Sequence, residues 1–361
     1  MRAIRVGVVG FGLAGKVFHA PMIHAVDGLE LAGVVERNGR NAEAAYPGIT
    51  TFPSLDAMLD DASIELIVVA TPNDFHVAQA RQALAAGRHV VVDKPVGNTS
   101  FEIADLMVLA RKQKRLLIPF HNRRFDGDFM TLRKLLAEQK LGRVVSFEST
   151  FDRWRPAPKH GTWRDASGPG TGTLFDLGTH LVDQAVQLFG LPEAIGAEVL
   201  RERDGSLAVD AFTLRLHLPG GLIATISANC LAAQPRPHYL VRGTRGGYIK
   251  WGLDPQEDRL RQNGSRVTAD LGVEPPSAWG SLTVDVENAL VTHAVETVPG
   301  DYRLYYAAVR DALLGKTLPP VLDIDSWRVA SILEMAEESQ REGRVVPCDW
   351  AIHPTDAPNG Q

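Results

Sequence analysis

The chain is poor in cysteine, has no long apolar run and shows no excess of one charge sign, and each shortage removes a class of protein. Cys230 and Cys348 are the two cysteines in 361 residues. They lack metal-ligand spacing and are too few for a secreted disulfide scaffold, so a reducing cytoplasm is the expected compartment. No segment offers the roughly 20 consecutive apolar residues of a membrane-spanning helix, so a membrane is not expected as partner. Met1 to Val9 lead straight into a glycine-rich turn, without an apolar stretch and a small-residue cleavage site, which argues against a signal peptide. Lys and Arg number 38 against 43 Asp and Glu, a net charge of −5. Their scatter leaves no basic stripe for nucleic acid.

What is present is a packed, two-domain protein. Hydrophobic residues make up 45% and charged residues 22%, which excludes disorder, and the length exceeds one comfortable core. Short β-branched runs (4–10, 29–36, 64–70, 89–93 and 116–119) alternate with helical stretches such as 77–86, closed by Gly87, and 100–114, opened by Ser100 as a capping candidate. That rhythm predicts a doubly wound parallel sheet. After Asn122 it changes: a helix near 128–139, a strand near 144–152, a Pro- and Gly-rich stretch to Thr173, then from 195 to 250 successive strands separated by Pro219-Gly220-Gly221 and Arg245-Gly246-Gly247. The expected organisation is a Rossmann domain over 1–122, an α+β domain with a large open, mostly antiparallel sheet over 123–352, and a mobile tail over 353–361. No internal repeat occurs.

Gly10-Phe11-Gly12-Leu13-Ala14-Gly15 follows the first strand and opens a helix. In that context Gly10 permits the tight turn, Gly12 lets backbone approach a pyrophosphate, and Gly15 lets helix pack on strand, with the phosphates at the helix N-terminus. Glu36 ends the second strand, where a carboxylate accepts the adenosine ribose hydroxyls. Arg37 beside it could grip a 2′-phosphate or stack on adenine. Glu36 would repel that phosphate, so NAD is the expected cofactor and NADP the alternative.

Asp93-Lys94-Pro95, Thr71-Pro72-Asn73 with His76, and Asp176-Leu177-Gly178-Thr179-His180, taken with the glycine motif, resemble the glucose-fructose oxidoreductase / inositol dehydrogenase / rhizopine-catabolism (Gfo/Idh/MocA) family. The resemblance spans nearly the whole chain. His121 to Asp126, Phe151-Asp152-Arg153 with Arg155-Pro156, and Gly252 to Glu257 look like its subgroup containing NADP-dependent scyllo-inositol dehydrogenases. Asp93 stands where the family pattern usually has Glu. The resemblance implies hydride transfer between a nicotinamide and a secondary alcohol of a cyclitol or sugar, with Lys94 contacting substrate and nicotinamide, and it implies dimers or tetramers. It also implies that Thr71, Pro72, Asn73, His76, Asp93, Pro95 and Asn122 line the cofactor and that Trp163 and Arg164 close over the nicotinamide, although this Trp and Arg could equally be core and surface.

Chemistry is expected from Lys94, Asp176 and His180. Asp176 and His180 stand four apart on a helix beginning near Asp176 and so share one face, which Asp183 extends. Oxidising an alcohol by hydride loss requires the hydroxyl proton to leave, and an imidazole titrating near neutrality can accept it. His121 should face the cleft. Arg123, Arg124, Asp152, Arg153 and Arg155 either bind polyol hydroxyls or knit the domains by ion pairs, and His121, Arg123 and Arg153 are the candidate substrate contacts. Tyr305 and Tyr306 read as packing. Two rivals remain at this point: a dinucleotide-binding redox sensor without turnover, and a metal-dependent lyase with His121, Asp176, His180 and Asp183 as ligands. The second lacks H-E-x-x-H and paired cysteines, so no metal is expected.

Overall fold

The structure is a computed structural model that describes residues 2–37, 39–158, 161, 165, 168 and 170–350. Its first sheet comprises β1 (Ile4–Val9), β2 (Leu29–Val35), β3 (Thr50–Phe52), β4 (Leu66–Val69), β5 (His89–Val92) and β6 (Leu117–Pro119), all parallel, in the order β3-β2-β1-β4-β5-β6. Every strand of such a sheet is covered on both faces, which is why Val6, Val8, Val68, Val69, Val91 and Val92 form near-continuous apolar runs. The crossover helices include α1 (Ala20–Ala25), α2 (Asn41–Ala45), α3 (Leu55–Leu59), α4 (His76–Ala85) and α5 (Ser100–Gln113). Thr99, not Ser100, caps α5: its hydroxyl accepts from the Glu102 amide in a capping box. Ser100 instead donates its amide and hydroxyl to the Glu334 carboxylate at 2.7 and 2.6 Å.

The second sheet has nine strands: β7 (Val144–Thr150), β8 (Ala194–Leu200), β9 (Ala211–His217), β10 (Ile223–Asn229), β11 (Tyr239–Gly243), β12 (Gly246–Lys250), β13 (Gly280–Val286), β14 (Ala289–Val295) and β15 (Val346–Pro347). The order is β14-β13-β12-β11-β7-β10-β9-β8-β15, antiparallel except for the parallel pair β7 and β10. One face carries Phe147, Leu214, Leu216, Ile226, Tyr239 and Val241 and packs against α6 (Gly127–Ala137), α7 (Thr179–Phe189) and α10 (Asp323–Glu342). The other face is open, with Ile223 exposed and Thr225, Leu240, Ile249 and Thr283 partly so. α8 (Gln256–Gln262) precedes β13.

After β14 the chain returns to the first sheet. Tyr302, and Tyr305, Tyr306 and Val309 of α9 (Arg303–Leu313), are fully buried in one cluster with Val6, Val8, Met22, Ile23 and Val68. The Tyr305 hydroxyl donates to the Pro119 carbonyl at 2.9 Å, and the Tyr306 hydroxyl sits 2.6 Å from His19 Nδ1. No described helix is long and apolar enough to cross a membrane.

Candidate active site

The C-terminal ends of the parallel strands open into a cavity of about 1230 Å³ whose far wall comes from segments that follow β7 and β8, from the start of α7 and from α8, the place where open α/β sheets receive ligands. At one end lies the glycine turn. Gly10 has φ +99°, and a Cβ there would stand 2.9 Å from the Ala70 carbonyl oxygen. A Cβ on Gly15 would collide with the Gly10 carbonyl oxygen, whereas one on Gly12 would meet nothing within 4 Å. Two glycines thus shape the turn and the third leaves open space, so the backbone is bare at Gly12, in a stretch from Gly10 to Ala14 that lines the cavity. It leads into the turn Gly15–His19, the start of the helical run that α1 continues. This bare, amide-rich turn fits a pyrophosphate.

Glu36 and Arg37 line the same end, with Thr71, Pro72 and Asn73 following β4. The Glu36 carboxylate accepts from Asn41 Nδ2 and, at 3.1 Å, from the Ala42 amide, so the start of α2 holds it. Asn73 Nδ2 donates to the Gly170 carbonyl at 2.9 Å and to Asn98 Oδ1 at 3.2 Å, and His76 spans the Pro95 and Thr71 carbonyls, each at 2.7 Å.

Lys94 stands at the end of β5, joined to Pro95 by a cis peptide. Its ammonium donates to the Asp176 carbonyl at 2.7 Å and to Asp176 Oδ1 at 2.8 Å. A lysine has three donors, and the third has no acceptor among the described residues. Asp93 accepts from the Lys94 amide at 2.8 Å. Burial pushes that carboxyl up, but His19, His76 and Lys94 around it hold it below its usual range.

Asp176 belongs to the turn Leu174–Gly178 that opens α7, so the helical run starts two residues earlier than the spacing suggested. His180 is buried, and its Nδ1 has no hydrogen-bond partner among the described residues. Its titration differs from the near-neutral expectation: burial first, then the charges of Lys94 and Arg123, hold it well below 6.5. His180 is therefore a neutral imidazole at physiological pH.

Most residues singled out in the sequence line this cavity: Gly10 to Ala14, Glu36, Arg37, Thr71 to Asn73, His76, Asp93, Lys94, Asn122, Arg123, Arg153, Asp176 and His180. Gly15 and Pro95 lie beneath its wall. His121 does not face the cleft. It is buried behind it, with Nε2 3.2 Å from the Ser326 hydroxyl, because Ser326 on α10 closes that side. Asp183 does not extend the reactive face either: Arg124 holds it at 2.6 and 2.8 Å and reaches Asp325 at 3.0 Å, a buried triad linking the end of the first sheet to α7 and α10. Arg124 thus ties the segment after β6 to α7 and α10, both within 123–352, rather than to the first domain. Asp152 pairs with Arg236 at 2.8 Å, and Arg123 lines the cavity while held by Asp126 at 3.0 Å and Glu257 at 2.7 Å. Trp163, Arg164 and the tail 353–361 lie outside the described residues. Sequence reasoning did not single out Arg203, Asp165 and Arg261 as wall residues. Nothing local marks them, and Glu257 with Arg261 reads as an ordinary solvated i,i+4 pair.

A glycine turn at the switch of a doubly wound sheet, facing polar side chains from the loops and helices of the later chain, is the layout of an oxidoreductase built on a dinucleotide-binding domain. Residues 4–121 match the model of an oxidoreductase family with an NAD-binding Rossmann fold, and residues 129–249 match the GFO/IDH/MocA C-terminal domain. The oxidoreductase YdgJ of Escherichia coli is 42% identical over 344 residues, 94% of this chain and 96% of that protein. The scyllo-inositol 2-dehydrogenase (NADP(+)) IolW of Bacillus subtilis is 33% identical, covering 95% of each. The solved structure of the oxidoreductase YPO2259 of Yersinia pestis superposes with a TM-score of 0.91 at 43% identity, covering 96% of this chain and 98% of that one. The chain belongs to the Gfo/Idh/MocA oxidoreductase family.

Proposed function

We propose that the protein is a nicotinamide-dependent dehydrogenase of a secondary alcohol on a cyclitol or sugar, with Lys94, Asp176 and His180 handling the hydroxyl and its proton. The observation that carries this reading is the junction of Lys94 with Asp176 at 2.8 Å, where the dinucleotide cradle meets the second domain beside an unpartnered His180 nitrogen. The relation to IolW, a scyllo-inositol dehydrogenase by name, supports the polyol class.

Bound in the cradle, the nicotinamide supplies the hydride acceptor or donor. The chain's own groups do the rest. The free N–H of Lys94 donates to the reacting hydroxyl oxygen and stabilises negative charge as the proton leaves. His180 takes that proton on a neutral ring nitrogen. Asp176 fixes the ammonium through its Oδ1 and carbonyl oxygen. At the far end, Phe11 to Ala14 hold the pyrophosphate and Glu36 the ribose hydroxyls, which favours NAD over a 2′-phosphorylated cofactor on charge alone. The open face of the second sheet is covered, in this reading, by a second copy of the chain in a homodimer or homotetramer.

The test is absorbance at the reduced-nicotinamide band across a panel of cyclitols and aldoses, with NAD and NADP in parallel. Reduction with at least one polyol is expected. Tight dinucleotide binding without turnover of any panel member would instead support a redox sensor.

A further inference from the structure

We propose that the polyol carries a fixed negative charge, a carboxylate or a phosphate, received by Arg153 and Arg155 beside Asp176; the proposal rests on the dehydrogenase reading above. The cavity wall carries arginines whose charge is unevenly met. Arg123 is matched by Asp126 and Glu257, Arg203 by Asp165 and Asp210, and Arg261 by Glu257. Arg153 has one carboxylate that it shares with Lys94, and Arg155 has none among the described residues. The nearest carboxylate to Arg153 is Asp176, whose Oδ2 lies 3.7 Å away while its Oδ1 is held by Lys94 at 2.8 Å. The Arg153 guanidinium donates no hydrogen bond to a described residue; only its backbone amide does, to the Asn229 carbonyl at 2.9 Å. Arg155 forms no ion pair with a described residue, yet both line the cavity.

Arg153 is also constrained. Its guanidinium lies over the Phe151 ring at 4.5 Å, with Arg123 at 5.1 Å from the same ring. A stacked guanidinium keeps its donor edge free, and that edge suits the planar or tripodal oxygens of a carboxylate or phosphate. Burial lowers its pKa to about 10; Asp176 and Glu257 oppose this, while Arg155 and Arg123 reinforce it. The half-buried Arg153 guanidinium thus shares its close carboxylate with Lys94 and has the exposed Arg155 beside it, and an anionic substrate group would meet both. Lys94 and Arg153 approach the two oxygens of one carboxylate, so a substrate whose hydroxyl reaches Lys94 presents its neighbouring atoms to Arg153. A neutral cyclitol would leave those donors to water.

The test uses the full-length chain saturated with dinucleotide, titrated with glucose, glucuronate and glucose 6-phosphate and followed by tryptophan fluorescence. The same three compounds, with inositol, are then assayed for turnover. At least one acid is expected to bind tenfold or more tightly than glucose. Comparison of the two acids tells carboxylate from phosphate. Arg153→Gln and the more exposed Arg155→Gln should each reduce the acid-to-glucose ratio at least fivefold, and Arg153→Lys should restore part of it. Acids that bind no better than glucose, or fail to saturate, overturn the proposal, as does a ratio untouched by both glutamine variants. Selective binding of an acid without turnover of any compound would sink the dehydrogenase reading alone.

Discussion

Replacing Lys94 with Met retains the stem's bulk and removes the ammonium, which isolates the group assigned to the alcohol oxygen. Two of its three donors are committed to the Asp176 carbonyl and carboxylate at 2.7 and 2.8 Å, leaving one for substrate. A single preorganised donor to a developing oxyanion stabilises the transition state by about 3–4 kcal/mol, so kcat should fall on the order of 100- to 1000-fold. The loss lies at or above that range if the freed Asp176 carboxylate then repels the developing charge. The assay is initial-rate absorbance on whichever polyol the wild type turns over best, at saturating cofactor. Dinucleotide binding, measured separately by fluorescence titration, should change by less than about 1 kcal/mol, roughly fivefold, because pyrophosphate and ribose contacts are assigned to residues 10–15 and 36. A variant that keeps kcat within tenfold of wild type would refute the assignment. One that loses dinucleotide affinity and turnover in parallel would place Lys94 in the cradle instead.

Three further outcomes are expected. Wild type should use NAD with the higher kcat/KM, and Glu36→Ser should narrow or reverse that preference; a wild type favouring NADP tenfold would mean that Arg37 outweighs the carboxylate. Because burial and nearby cations hold His180 well below 6.5, its base form prevails at neutral pH, so kcat/KM for oxidation should be level there and fall only as pH drops through a limb on the acid side of 6.5. His180→Ala should abolish that limb and lower kcat by about 100-fold or more, whereas a wild-type limb at or above pH 7 contradicts the role. Arg124→Met strands the buried Asp183 and Asp325 carboxylates and should cost about 3–5 kcal/mol in urea denaturation; a loss below about 1 kcal/mol would show that water or rearrangement replaces the guanidinium.

The parallel half of the molecule was legible because its signals are local. A glycine turn, an apolar strand and the acid ending the next strand are read within a few dozen residues, and Lys94 is marked by the strand it terminates. Asp176 and His180 were legible as a pair for the same reason, being one helical turn apart. His121 misled because the strand end points to the cleft, while the residue that closes its side, Ser326, lies 205 positions away. Asp183 falls on the same helical face as Asp176 and His180, yet its partner Arg124 is 59 positions distant. The imidazole's titration was equally out of reach, since it depends on enclosure and on cations brought in from elsewhere. Ser100 reads as the cap until the Glu334 carboxylate is seen to claim it, which leaves Thr99 as the cap.

The return of the chain to the first sheet after β14 makes the two halves one folding unit. Tyr302, Tyr305, Tyr306 and Val309 are fully buried among residues of β1, α1 and β4, and each such side chain is worth about 1.5–3 kcal/mol of burial. A fragment ending at 122 would thus be a sheet stripped of part of one wall, with apolar side chains of β1 and α1 turned to solvent. The same lacing limits how the enzyme can breathe: with the late chain buckled across the early sheet, the cleft resembles a fixed mortise more than a jaw. Access and closure then fall to the short segments rimming it, so that substrate range can drift by changing the rim while the frame stays unaltered.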